Sequence, residues 1–152
     1  GVLFTGEPGT GKTFAARAVA SASELPFLST SGADLRSSSY VGQGSDLTIA
    51  LFKAAAKHAP CIVFIDEIDS VGRKRSSGDL QVLDKGGLPG ESTAADAENN
   101  VNAMLALMEE LPPGVLVLGA TNRPEVLDDA LLRSGRFDKR IEFRLPDLEG
   151  RE

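Results

Sequence analysis

Eight residues near the start, GEPGTGKT from Gly6 to Thr13, set glycines, a lysine and a hydroxyl in the spacing GxxxxGK[ST], directly behind the apolar run Val2-Leu3-Phe4. Backbone N–H groups can curl around phosphate oxygens where glycine leaves no Cβ in the way, and the helix expected next turns its positive end toward the same anion. Gly6, Glu7, Pro8, Gly9, Thr10 and Gly11 are therefore the expected phosphate cradle. Lys12 is placed for the β- and γ-phosphates, and the hydroxyl of Thr13 for the magnesium ion that accompanies ATP.

Further chemistry stands at the ends of two apolar runs. Ile62-Val63-Phe64-Ile65 delivers Asp66 and Glu67 to the C-terminal end of a strand, where ligands collect in open α/β sheets. Asp66 is assigned to magnesium and Glu67 to the water that attacks the γ-phosphate. Asp69 reads equally as a cap or as a group supporting these two. The second run, Val115 to Ala120, ends in Thr121-Asn122-Arg123-Pro124. The amide of Asn122 can donate to a γ-phosphate oxygen or to the attacking water, although asparagine also suits a turn before proline.

Arg133-Ser134-Gly135-Arg136 offers two guanidiniums, able to stabilise charge on a phosphoryl group or to form a solvated basic turn; the residues alone leave both open. Tyr40-Val41-Gly42 lies among serines and glycines, so it is either an exposed loop or an aromatic folding back on the core. His58 has no second histidine beside it and belongs to the last turn of a helix.

The elements that must position these groups alternate in type. Strands are expected at Val2 to Thr5, Phe27 to Thr30, Cys61 to Asp66, Val115 to Thr121 and Arg140 to Leu145. Helices are expected at Gly11 to Ala22, Asp46 to Ala59 and Glu98 to Leu111, the last with Val101, Met104, Leu105, Met108 and Leu111 on a core face. Such alternation predicts a doubly wound α/β fold with a parallel five-stranded sheet. A short helical segment runs from Asp128 to Leu132, and Arg73 to Ala95 reads as a flexible insertion loop without chemistry of its own.

Composition bounds the rest. A chain of 152 residues with 41% hydrophobic and 25% charged residues is expected to form one domain, 1–152. The net charge of −6 and pI near 4.9 do not indicate a broad surface for nucleic acid or anionic membrane. One cysteine, Cys61, excludes an internal disulfide and a cysteine-based metal cluster, suits a reducing compartment and reads as core packing. The sequence contains neither a transmembrane-length apolar run nor a signal-like start, but it opens at the threshold of a strand. A piece of a longer protein is the expectation, which leaves the localisation of the parent open.

Together these residues resemble the AAA ATPase family, and within it the ATPase modules of membrane-anchored, ATP-dependent zinc metalloproteases of the FtsH type. GEPGTGKT resembles the Walker A loop, Ile62 to Asp69 the Walker B strand, and Ala120 to Phe143 the second region of homology. Ala59 to Arg75, Tyr40-Val41-Gly42 and Leu145 to Glu152 carry the narrower likeness. The resemblance implies a P-loop core, the large subdomain of an AAA module without its helical lid. It also implies a homo-oligomeric ring, usually a hexamer, in which Arg133 and Arg136 reach the ATP of a neighbour and Asn122 acts as sensor 1. Tyr40, Val41 and Gly42 would form a pore loop gripping unfolded polypeptide, and any membrane contact would come through segments outside these residues. A nucleotide-dependent scaffold is the alternative, and a DNA-directed ATPase is disfavoured by the acidic balance and by Tyr40-Val41-Gly42. Glu7 and Ser134 each stand where the family more often has proline, and the sequence contains no HExxH zinc motif.

Overall fold

Side chains along a β-strand point alternately to opposite faces, so a central strand that is apolar throughout needs cover on both sides. Cys61 to Ile65 meets that condition, with all five residues buried. The computed structural model describes residues 1–37, 44–72 and 94–145. Its elements run β1 (Val2–Gly6), α1 (Lys12–Ser23), β2 (Phe27–Ser31), α2 (Gly32–Ser37), α3 (Gly44–Lys57), β3 (Cys61–Asp66), α4 (Ala94–Glu109), β4 (Val115–Thr121) and β5 (Lys139–Phe143). Short 3-10 turns occupy Ile68–Ser70, Pro124–Val126 and Asp129–Leu132.

The five strands form one sheet in the order β2-β3-β4-β1-β5, every pair parallel. Ile62 and Phe64 of β3 turn toward α1, where they pack with Phe4, Ala16, Ala20, Leu118 and Ala120. Cys61, Val63 and Ile65 turn the other way, into a larger cluster with Leu35, Phe52, Val101, Met104, Leu127 and Phe137. This is the three-layer α/β architecture expected of a P-loop core.

Because all strands run the same way, the sheet has two chemically distinct edges. Loops leaving β1, β3 and β4 emerge at the C-terminal edge, and segments entering the strands gather at the N-terminal edge. The register aligns Thr5 with Thr121 and Ile65 with Gly119. β4 thus lies between the strand that feeds the glycine-rich loop and the strand that carries the carboxylates.

Some boundaries differ from the sequence reading. α4 begins at Ala94, not Glu98, so the insertion cannot extend to Ala95. Ala94-Ala95-Asp96-Ala97 lacks an apolar repeat, yet alanine has high helix propensity and extends the periodic segment backward. α3 covers Gly44–Lys57, and the His58 N–H closes the helix end on the carbonyls of Ala54 and Ala55 at 3.0 and 3.2 Å. β5 ends at Phe143, where pairing with Gly6 stops. The helix α2 is an addition, started where Ser31 Oγ accepts from the Ala33 N–H at 3.0 Å. Tyr40, Val41 and Gly42, and residues 73–93 of the expected insertion, lie outside the described residues.

Candidate functional site

Glycine conformations shape the loop after β1. Gly9 and Gly11 hold φ of 78° and 90°, and a Cβ built on either would find no atom within 4 Å. Their outer side is therefore open space. Gly6 differs, since at φ 145° a Cβ would lie 2.1 Å from the Phe143 carbonyl oxygen, so only glycine lets the loop leave while β5 stays paired. Thr5, directly before it, is buried, and its Oγ1 accepts from Arg140 Nε at 3.1 Å.

Lys12 opens α1 and is 7% exposed. Its Nζ donates to the carbonyls of Gly6 and Glu7 at 2.8 Å each, and lies 3.4 Å from Thr10 Oγ1, which itself donates to Glu7 O at 2.8 Å. The ammonium is thus drawn into the loop rather than out to solvent. Burial pushes its pKa below the ordinary lysine value, and the Asp66 carboxylate pulls back in the opposite direction.

Thr13 Oγ1 donates to Asp66 Oδ2 at 2.8 Å, joining α1 to the end of β3. The other carboxylate oxygen, Oδ1, accepts from the Glu67 N–H at 3.0 Å. Glu67 is exposed and adopts the left-handed conformation, φ 48° and ψ 47°. This placement costs a non-glycine residue about 1 kcal/mol and turns the chain sharply off the strand. Gly32 makes room for the turn, because a Cβ there would lie 2.4 Å from the Glu67 carbonyl oxygen.

The donor set fits a nucleotide with its divalent ion. Open space beside the loop glycines, a buried ammonium, and a hydroxyl and carboxylate already within 2.8 Å suit phosphate on one side and a hard, oxygen-seeking cation on the other. Magnesium, when bound, neutralises phosphate charge there.

Asn122 is exposed one residue beyond β4, and by extension of the register it stands level with Gly6. The buried Thr121 before it donates to Asp69 Oδ1 at 2.6 Å and accepts from the Arg123 N–H at 2.9 Å. The structure brings the loop residues, Asp66, Glu67 and Asn122 to one edge of the sheet.

Arg133 and Arg136 lie elsewhere. They frame a turn with Gly135 at φ 86°, closed by the Arg136 N–H on Arg133 O at 3.1 Å, and the turn feeds the start of β5. A Cβ on Gly1 would lie 2.7 Å from Arg136 O, which sets the turn beside the beginning of β1. The length of that strand, at about 3.3 Å per residue, separates the turn from the phosphate loop of its own chain by roughly 15 Å. Arg133 is exposed, whereas Arg136 donates through Nε and Nη2 to Glu109 Oε1 at 3.2 and 2.8 Å and through Nη1 to Ala130 O at 2.7 Å.

Three contacts escaped the sequence reading: Asp69 with Thr121, Arg140 with Thr5, and Glu109 with Arg136. Only Asp69 carried a signal, as an acidic residue two positions beyond Glu67.

Residues 2–145 match the family model described as ATPase family associated with various cellular activities (AAA). The whole chain is 47% identical to ATP-dependent zinc metalloprotease FtsH 3 of Sorangium cellulosum, covering 24% of that protein. It is 48% identical over its full length to ATP-dependent zinc metalloprotease FtsH of Thermus thermophilus, 23% of which it covers. With the Aquifex aeolicus protein of the same name it shares 45% identity over 99% of the chain and 22% of the relative. The chain thus spans less than a quarter of the length of these curated relatives.

Proposed function

The chain belongs to the AAA family of ATPases, and we propose that residues 1–152 form the large subdomain of a ring ATPase that couples Mg-ATP hydrolysis to the unfolding or translocation of protein. The observation that carries this reading is the separation of its functional groups between two edges of one parallel sheet. Lys12, Thr13, Asp66, Glu67 and Asn122 converge at the C-terminal edge, while Arg133 and Arg136 sit at the other. Groups that far from their own nucleotide are placed better for the nucleotide of another copy than for that of their own chain. A head-to-tail interface that repeats this contact closes into a ring when the rotation between copies closes.

In this reading Lys12 and the loop N–H groups bind and orient the phosphates. Thr13 and Asp66 hold magnesium. Glu67 draws a proton from the attacking water, and Asn122 donates to that water or to a γ-phosphate oxygen. Arg133 and Arg136 of a neighbouring copy meet the charge that develops on the transferring phosphoryl group. Tyr40, Val41 and Gly42 are proposed to grip polypeptide through sequence-tolerant aromatic and backbone contact. The names of the relatives support a role beside a zinc protease, whose HExxH motif is not in this sequence.

Steady-state ATP hydrolysis over a wide range of protein concentration, with and without an unfolded polypeptide, tests the proposal. Specific activity is expected to climb with concentration and to rise further with polypeptide. Glu67→Gln should keep Mg-ATP binding and lose about 10² to 10⁴ in rate. Turnover per chain that stays constant down to the monomeric range would overturn shared sites, and indifference to polypeptide would favour a scaffold.

A further inference from the structure

We infer that Asp69 is a positioning residue for Asn122, acting through the hydroxyl of Thr121. The inference rests on the proposed role of Asn122. Thr121 is 1% exposed, and its hydroxyl owns a single proton. That proton goes to Asp69 Oδ1 at 2.6 Å, the short distance of a charge-assisted bond. With the proton fixed there, a lone pair of the same oxygen faces the Arg123 N–H at 2.9 Å. The two bonds hold the backbone on both sides of Asn122, so the carboxylate of Asp69 sets the direction in which the amide leaves β4.

Asp69 is itself anchored. It rides the 3-10 turn Ile68–Ser70, whose Ser70 N–H donates to Glu67 O at 2.9 Å. Ile68 is fully buried against β4, where a Cβ on Gly119 would lie 3.2 Å from its Cδ1, so glycine permits the close approach. Glu67 and Asn122, each one residue beyond neighbouring strands, thereby share one support. An unheld Asn122 would still stand at the tip of β4, but its amide would sweep a range of directions, and misplacement by about 1 Å can cost about 10²-fold in rate.

The test compares Asp69→Ala, Asn122→Ala and the double variant in the assembled protein, by single-turnover hydrolysis and by amide hydrogen exchange at Arg123 without nucleotide. Asp69→Ala should slow hydrolysis by about 10²-fold with KM changed less than about threefold. The double variant should be no slower than Asn122→Ala, because a residue acting through another adds nothing once the other is gone. Asp69→Asn, which keeps an acceptor for Thr121, should recover most of the rate, and exchange at Arg123 should quicken in Asp69→Ala and in the double variant but not in Asn122→Ala or Asp69→Asn. Losses that multiply in the double variant would overturn the inference, as would an Asp69→Asn no better than Asp69→Ala. Should Asp69→Ala fail to fold, Thr121→Ser against Thr121→Val carries the same comparison. Full turnover in Asn122→Ala would instead overturn the role of Asn122 itself, and this inference with it.

Discussion

At the C-terminal edge of the sheet the phosphate loop is held by backbone. Gly6, Gly9 and Gly11 take conformations that other residues rarely adopt, Glu67 sits in the left-handed region, and Lys12 is pinned by two carbonyls. At the N-terminal edge the corresponding groups hang on side chains: Arg136 is tethered by the exposed carboxylate of Glu109 and by one carbonyl, and Arg133 is exposed. In the proposed ring, the contrast follows from what each edge has to meet. A phosphate bound within the chain rewards a rigid cradle assembled before the ligand arrives. A group that serves another copy has to be directed outward, and its final partners come only with assembly.

The sharpest way to break this comparison is Arg136→Ala. If the arginine edge completes a neighbour's site, turnover should fall by about 10³ to 10⁵, equivalent to roughly 4–7 kcal/mol of transition-state stabilisation. Mixing Arg136→Ala with Glu67→Gln in equal amounts should then restore hydrolysis, because about a quarter of the interfaces in a randomly mixed ring unite an intact Glu67 with an intact Arg136. Co-assembly without any recovery would show that both groups act inside one chain, and the two-edge division would fall.

A smaller effect separates the two edges by stability. Gly6→Ala must both strain the backbone at φ 145° and push Phe143 away from a Cβ 2.1 Å from its carbonyl oxygen. A loss of about 2–4 kcal/mol is expected, together with weakened nucleotide binding. Gly135→Ala meets only the backbone term at φ 86°, since nothing lies within 4 Å of its Cβ, and should cost about 1 kcal/mol. Denaturant unfolding of the two variants measures the difference. Equal losses would mean that the turn carrying the arginines is built as rigidly as the phosphate loop.

How much of this was legible in the sequence tracks how local each requirement is. The glycine-rich loop and the paired Asp66-Glu67 were readable because their geometry is set within a few consecutive residues. The inner strands β1, β3 and β4 were readable because burial on two faces leaves continuous apolar runs such as Cys61 to Ile65, whereas the edge strands β2 and β5 are largely polar or exposed. The sheet order was not, since alternating strands and helices imply parallel pairing without saying that β4 inserts between β1 and β3. Contacts across that order which no motif announces were therefore hidden, such as Thr121 on Asp69, which are 52 residues apart. Glu109 was hidden for another reason: it ends a helix read only for its apolar face, so its polar face drew no attention until Arg136 was found against it.

Glu109→Gln gives the smallest expected effect and the finest discrimination. The pair joins a carboxylate 58% exposed to a guanidinium 17% exposed, at 2.8 Å. Such a surface ion pair contributes about 0–1 kcal/mol and is screened by salt. Glutamine keeps an oxygen that can accept from Arg136 while removing the charge, so turnover at low ionic strength should change by no more than about fivefold and converge with the unsubstituted protein near 1 M salt. Hydrolysis measured across an ionic-strength series decides between two meanings of the tether. A small, salt-erased change leaves Arg136 free to exchange Glu109 for a phosphate on the neighbouring copy. A loss approaching that of Arg136→Ala would mean that the arginine works only while Glu109 aims it, and the N-terminal edge would then be as preorganised as the phosphate cradle opposite.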